Sequence, residues 1–153
     1  MNNLDSVDIK ILELLQKNAR LTIKEIAGQL NLSTTPIFDR MKRLEKEKVI
    51  DRYVALVNPA KIGKTLIAFV HISLKEHARP EVEKFVEQVI QFKEVLECYH
   101  VTGDADFVLK VALSNIEAYN QFVLERLSVV SNIGKVESRF CLSTRKYTTQ
   151  FPV

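Results

Sequence analysis

The chain has 153 residues, 46% of them hydrophobic and 27% charged, with 22 Lys and Arg against 19 Asp and Glu. That length fits one domain or two small ones with real cores. No apolar run reaches the span of a membrane helix, and MNNLDSVDIK lacks the basic start and apolar stretch of a signal peptide, so a cytoplasmic protein with no membrane partner is expected. Cys98 and Cys141 stand far apart in apolar, strand-like segments without CxxC or Cys/His spacing, which argues for reduced, buried packing residues and against zinc. The charge is unevenly spread: residues 1–63 hold eleven basic against eight acidic residues, a net of +3, whereas 64–153 hold eleven of each. A basic N-terminal part joined to a neutral C-terminal part points to a polyanion partner for the first and a different task for the second.

Leu4-Asp5-x-x-Asp8-Ile9 opens a first helix, with Asp5 as N-cap, Leu4 stapled onto Ile9, and Val7, Ile11, Leu14 and Leu15 as its buried stripe to about Ala19-Arg20. Leu21-Thr22-x-x-Glu25-Ile26 is a capping box with a staple and starts a second helix whose Ile23, Ile26, Ala27 and Leu30 repeat at helical spacing. Asn31 tolerates the left-handed turn that follows, Leu32 is expected to anchor it, Ser33 is a good N-cap, and Pro36 falls in a first turn where its missing N–H does no harm. The third helix buries Ile37, Met41 and Leu44 and turns most of its basic residues outward. Two short helices joined by a tight turn form a helix-turn-helix, whose second helix enters the major groove of double-stranded DNA. Ser33, Thr34, Thr35 and Asp39 offer short polar groups to bases. Arg40 and Arg43 suit guanine or phosphate equally, and Lys42 and Lys46 suit phosphate. The plainer readings are a solvated charged face or a protein contact.

Val49–Val57, VIDRYVALV, reads as a strand ended by Asn58-Pro59 and paired with its symmetry mate, and residues 60–64 read as a linker, so the expected domains are 1–63 and 64–153. From there the order is strand, helix, strand, strand, helix, strand. Leu66–Leu74 is almost continuously apolar, implying burial on both faces. Pro80 opens a helix with Val82, Phe85, Val86, Val89 and Ile90 inward. Strands at 95–102 and 107–113 flank the turn Gly103-Asp104-Ala105-Asp106; Ser114-x-x-Glu117 caps a helix with Ile116, Tyr119, Val123 and Leu127 inward; a last strand spans 136–147. The expected fold is α+β: a winged-helix-like helix-turn-helix domain followed by a ferredoxin-like βαββαβ domain with both helices on one face of its sheet. The open face, apolar along the first strand, is expected to pack on a second copy in a dimer.

Taken together, Leu4-Asp5-x-x-Asp8-x-x-Ile11-Leu12-x-x-Leu15-Gln16, Ala19-Arg20, Leu32-Ser33-x-x-Pro36 with Arg40 and Arg43-Leu44-Glu45, Val49-Ile50, Asn58-Pro59 and Gly103-Asp104-x-Asp106 resemble, over essentially the full length, the Lrp/AsnC, or feast/famine, family of bacterial and archaeal transcription regulators. The resemblance implies a DNA-binding regulator with a C-terminal regulatory (RAM) domain, forming dimers that assemble into tetramers or octamers and respond to an amino acid held between subunits. Carried over by position, the effector lining is His100, Gly103, Asp104, Ala105 and Asp106, Ile116, and Phe140, Leu142, Ser143 and Thr144. Amides and carboxylates of the turn suit the charged groups of a free amino acid, although the same turn also reads as a plain hairpin. His71, His77 and His100 each also read as ordinary structural or surface histidines. Lys48 stands where the family usually has glycine, and Ala105 where it often has a larger or aromatic residue. The residues offer no Ser/His/Asp, Cys/His or metal-ligand constellation and no phosphate-binding glycine loop, so neither an enzyme nor a cofactor is expected beyond a possible amino-acid effector. The competing class is a ligand-binding or assembly module without specific DNA binding.

Overall fold

The computed structural model describes residues 4–153; Met1–Asn3, the opening of the stretch read for leader character, lie outside the described residues. Asp5 Oδ1 accepts from the amides of Val7 and Asp8, and Asp8 Oδ2 accepts from Asp5 N at 3.1 Å, so a reciprocal box starts α1 (Ser6–Lys17). Thr22 and Glu25 form the same box at the head of α2 (Ile23–Leu30). Helix α3 (Thr34–Lys46) begins after Ser33, whose side chain makes no capping bond.

Both later helices of this trio end in a left-handed residue with paired closing bonds. At Asn31 (φ 54°), Leu32 N donates to Ala27 O at 3.0 Å and Asn31 N to Gly28 O at 3.4 Å. At Lys48 (φ 59°), Val49 N donates to Leu44 O at 2.9 Å and Lys48 N to Glu45 O at 3.1 Å. Lysine thus occupies a conformation that suits glycine. Ile11, Leu12, Leu15, Ile26, Ala27, Ile37 and Leu44 are the buried core of the trio. Leu32, expected to anchor the turn, is 41% exposed, and α1 stops at Lys17, where Asn18 takes over its closing bonds.

Residues 49–57 form no strand in the single chain, since no neighbouring strand is there to pair with them; Val54, Leu56 and Val57 are exposed. Tyr53 Oη donates to Glu45 at 2.9 Å, and burial followed by that carboxylate pushes its phenol up to about 12. A 3₁₀ turn, Pro59–Ile62, follows. The compact units are residues 4–56 together with Lys146–Val153, and Val57–Arg145. The boundary therefore falls ahead of the expected linker, and the C-terminal tail, expected with the regulatory domain, belongs to the helical unit. Gln16 of α1 meets the tail through both its side chain and its backbone. Gln16 Nε2 donates to Phe151 O at 3.0 Å, Phe151 N donates to Gln16 Oε1 at 2.7 Å, and Gln150 Nε2 donates to Gln16 O at 3.2 Å.

In the second unit, β1 (Leu66–Leu74), α4 (Arg79–Val89), β2 (Val95–His100), β3 (Phe107–Leu113), α5 (Ile116–Glu125) and β4 (Ile133–Phe140) build an antiparallel sheet of order β2-β3-β1-β4. This is the βαββαβ arrangement. Ala68, Val70, Ile72 and Leu74 alternate onto the helix-covered face with Phe107, Leu109, Val111 and Leu113, against Phe85 and Val89 of α4 and Tyr119 and Phe122 of α5. Asn115, not Ser114, caps α5, accepting from Ala118 N at 2.9 Å, while Ser114 O accepts from Thr65 Oγ1. Ile116, in the first turn, is 51% exposed, whereas Tyr119 and Leu127 are buried as expected and Phe122 joins them. Ile90, expected inward, lies past the end of α4 and is 52% exposed.

The last strand ends at Phe140, opposite Ala68, well short of the expected 147, with one further bond from Cys141 N to Ile67 O. The opposite sheet face is mixed rather than apolar. Ile67 and Phe69 are followed on that face by His71 and Ser73, next to Lys110, Glu97 and Tyr99 on one side and Lys135, Glu137 and Arg139 on the other. Lys110–Glu97 and Lys135–Glu137 ion pairs span it at 2.8 and 2.5 Å. Cys98 and Cys141 belong to opposite sheet edges and are free thiols, each half-buried rather than fully buried. No helix among the described residues is long and apolar enough to cross a membrane.

Candidate nucleic-acid interface and effector site

Helix α3 presents Thr34, Thr35, Phe38, Asp39, Lys42 and Lys46 to solvent, with Ser33 exposed just ahead of it. Its arginines do something more. Arg40 Nη1 donates to Asp5 Oδ2 at 2.6 Å and to Asp8 Oδ1 at 2.8 Å, and Arg43 Nη2 donates to Asp8 Oδ2 at 2.5 Å. Asp8 is the one buried charged residue among those described, at 0% exposure. Burial pushes its carboxyl up, yet the hydrogen bonds from Arg40, Asp5 N and Arg43 outweigh that and hold it below the usual carboxylate range. The Arg40 guanidinium is correspondingly held charged, first by Asp5 and then by Asp8. Arg40 is thus engaged within the fold and fixes α3 to α1, whereas the Arg43 side chain remains 44% exposed. Neither the buried carboxylate nor the exposed Phe38 stood out in the sequence. Asp8 reads as an ordinary first-turn carboxylate, and its arginine partners lie 32 and 35 positions away.

The candidate effector residues fall into two groups. His100 stacks on Phe107, ring centroids 4.7 Å apart, beside the Gly103–Asp106 turn, where Gly103 has φ 116°. Asp106 secures that turn to the far end of β1. Its Oδ2 accepts from Leu74 N at 2.7 Å, its Oδ1 lies 3.0 Å from His77 Nε2, and its own amide donates to Ile72 O. The Leu74 amide first, with the His77 contact behind it, holds the Asp106 carboxyl below the usual range despite partial burial. Asp104 accepts from Ser73 Oγ through its carbonyl and lines, with Ala105, a cleft of about 490 Å³ on the open sheet face beside His71, Lys135, Glu137 and Arg139. The second group lies at the other end of the sheet. Phe140 pairs with Ala68, Cys141 N donates to Ile67 O, and Ile116 follows the strand end at Leu113 that pairs with Leu66. Leu142, Ser143 and Thr144 lie beyond β4 and are exposed, Leu142 at 98%. From Ile67 to Leu74 the strand runs about 23 Å. One subunit therefore does not bring the two groups together.

Residues 4–51 match the family model of a winged helix-turn-helix DNA-binding domain, and residues 67–151 that of the Lrp/AsnC ligand binding domain. The DNA-binding transcriptional activator DecR of Escherichia coli K12 is 35% identical over 98% of this chain and 99% of its own length. The Bkd operon transcriptional regulator of Pseudomonas aeruginosa is 31% identical over 94% of each. Among solved structures, a transcriptional regulator of Neisseria meningitidis in complex with L-Met aligns with TM-score 0.93 at 35% identity, covering 98% of this chain and 97% of that one. An AsnC family transcriptional regulator of Agrobacterium tumefaciens aligns with TM-score 0.93 at 36% identity over 97% of each chain.

Proposed function

The chain belongs to the Lrp/AsnC family of DNA-binding transcriptional regulators, and from that premise we propose that it works in the cytoplasm as a homodimer, assembling further to a tetramer or octamer, whose grip on DNA answers to a free amino acid. In this reading α3 lies in the major groove, with Ser33, Thr34, Thr35 and Asp39 toward base edges and Lys42, Arg43 and Lys46 toward phosphate. Arg40 contributes indirectly by fixing the angle of α3 through Asp5 and Asp8. The partner supplies what a single chain lacks, a neighbour for the exposed 49–57 segment and a cover for the open sheet face.

The observation that carries the effector proposal is the separation of its candidate residues. The turn at Gly103–Asp106 with His100, and the group Ile116, Phe140, Leu142, Ser143 and Thr144, are held at opposite ends of one sheet by strand register. A site made of both is complete only where the turn of one subunit meets the β4 end of another. Binding there then shifts the assembly state, and with it the spacing of the reading helices. The Asp104 carboxylate, which lines the cleft with Lys135, suits the ammonium of an amino acid, and the turn amides suit its carboxylate. The Neisseria relative seen with L-Met supports this ligand class.

The test is an electrophoretic shift of a promoter pool, including the protein's own upstream region, with each of the twenty amino acids. Salt-sensitive specific binding altered by one of them is the expected result. Binding that none alters retracts the effector site and keeps the DNA reading. No specific binding favours an assembly module.

A further inference from the structure

In the three helices of the DNA-binding unit, Phe38 is the one large hydrophobic side chain that is exposed, at 40%, while the other aliphatic side chains of α1–α3, Pro36 apart, are buried or half-buried. An exposed ring is a cost to a core this small, and the fold does not reclaim it. Phe38 stands one turn after Thr34 on the outward part of α3, and the Lys42 ammonium sits 4.4 Å from its ring centroid. The N-terminal half of α3, the part that meets base edges, offers hydroxyls, methyls, one ring and one carboxylate, with no amide side chain, and its arginine is committed to Asp5 and Asp8. A phenyl ring has no donor or acceptor for a base edge. The base feature it distinguishes in the major groove is the 5-methyl group of thymine.

We propose that Phe38 is a specificity-determining residue that reads a thymine in each half-site by packing its ring on the 5-methyl group, with Lys42 taking the adjacent phosphate. The proposal rests on the DNA-reading function above and names the base that function selects. Burying one methyl-sized group corresponds to about a fourfold change in affinity per contact.

The experiment begins with the full-length protein selecting duplexes from a random pool. Each thymine of the selected duplex is then replaced by deoxyuridine, which removes only the methyl, and affinity is measured by fluorescence anisotropy for the natural protein and for Phe38→Ala. One thymine per half-site is expected to lose about fourfold in affinity on conversion to uracil, and Phe38→Ala is expected to bind the two duplexes alike. The slope of affinity against salt is expected to stay the same in Phe38→Ala and to fall in Lys42→Ala. Equal binding of thymine and uracil duplexes by the natural protein overturns the proposal without touching the DNA reading. So does a thymine preference that survives Phe38→Ala and vanishes in Thr34→Ser or Thr35→Ser. Selection of no sequence at all overturns both.

Discussion

The two units of this chain close their interiors in different ways. The core of the sheet unit gathers fourteen buried hydrophobic side chains, strand residues alternating against α4 and α5, and no charged residue. The helical unit buries seven, together with the carboxylate of Asp8, whose oxygens are satisfied by two arginines of α3 and the amide of Asp5. A large apolar core sets stability without dictating the attitude of any one helix. A small core with an ionic clamp sets the attitude of α3 and depends on one proton. The difference matches what each unit has to do, since the regulatory unit must hold a sheet and the reading unit must aim a helix.

Four perturbations sharpen or break this contrast. Phe85 is wholly buried, its ring centroid 5.0 Å from that of Phe107, so Phe85→Ala is expected to cost the sheet unit about 4 kcal/mol. Residue-resolved hydrogen exchange during urea unfolding would show that loss in 57–145, and an equal loss in the helices would break the separation. Asp8→Ala removes the buried carboxylate that ties both arginines to α1 and is expected to cost the helical unit about 2 kcal/mol, with little change in the exchange of β1 and β3.

Acid acts on the same clamp. Because the folded Asp8 carboxyl is held below its unfolded value, the stability it contributes is complete above about pH 4 and is lost as pH falls through the lower, folded value. NMR signals of α1–α3 are therefore expected to fade at a higher pH than those of the sheet core, and the reverse order would contradict the contrast. The smallest effect is a gain. Lys48→Gly relieves a left-handed lysine and is expected to stabilise the helical unit by about 1 kcal/mol, read as a higher urea midpoint with an unchanged slope.

What the sequence made legible follows range of interaction. The N-cap at Asp5, the box at Thr22/Glu25, the left-handed Asn31 and the Gly103–Asp106 hairpin involve residues within a few positions of each other, and they formed as read. Ser114 and Asn115 are both good caps, so composition did not choose between them. Residues 49–57 have strand composition, but a strand needs a neighbour that one chain does not hold. The apolar run of β1 was read as two buried faces, yet the open face is set equally by Lys110, Glu137 and Arg139 from strands distant in sequence. At the candidate site, residue types were legible and their separation along the sheet was not, because register decides it.

The central claim is that the effector site is shared between subunits, and mixing two variants tests it most directly. Asp104→Ala spoils only the turn contribution, and a Ser143→Ala/Thr144→Ala double variant spoils only the contribution beyond β4. Neither alone is expected to change its DNA binding when the amino acid identified by the promoter shift is added. If every site joins the turn of one subunit to the β4 end of another, subunits mixed one to one by unfolding and refolding regain about a quarter of the sites, and the response returns. A mixture as silent as its components would mean that each site is built within one chain, and would contradict the account.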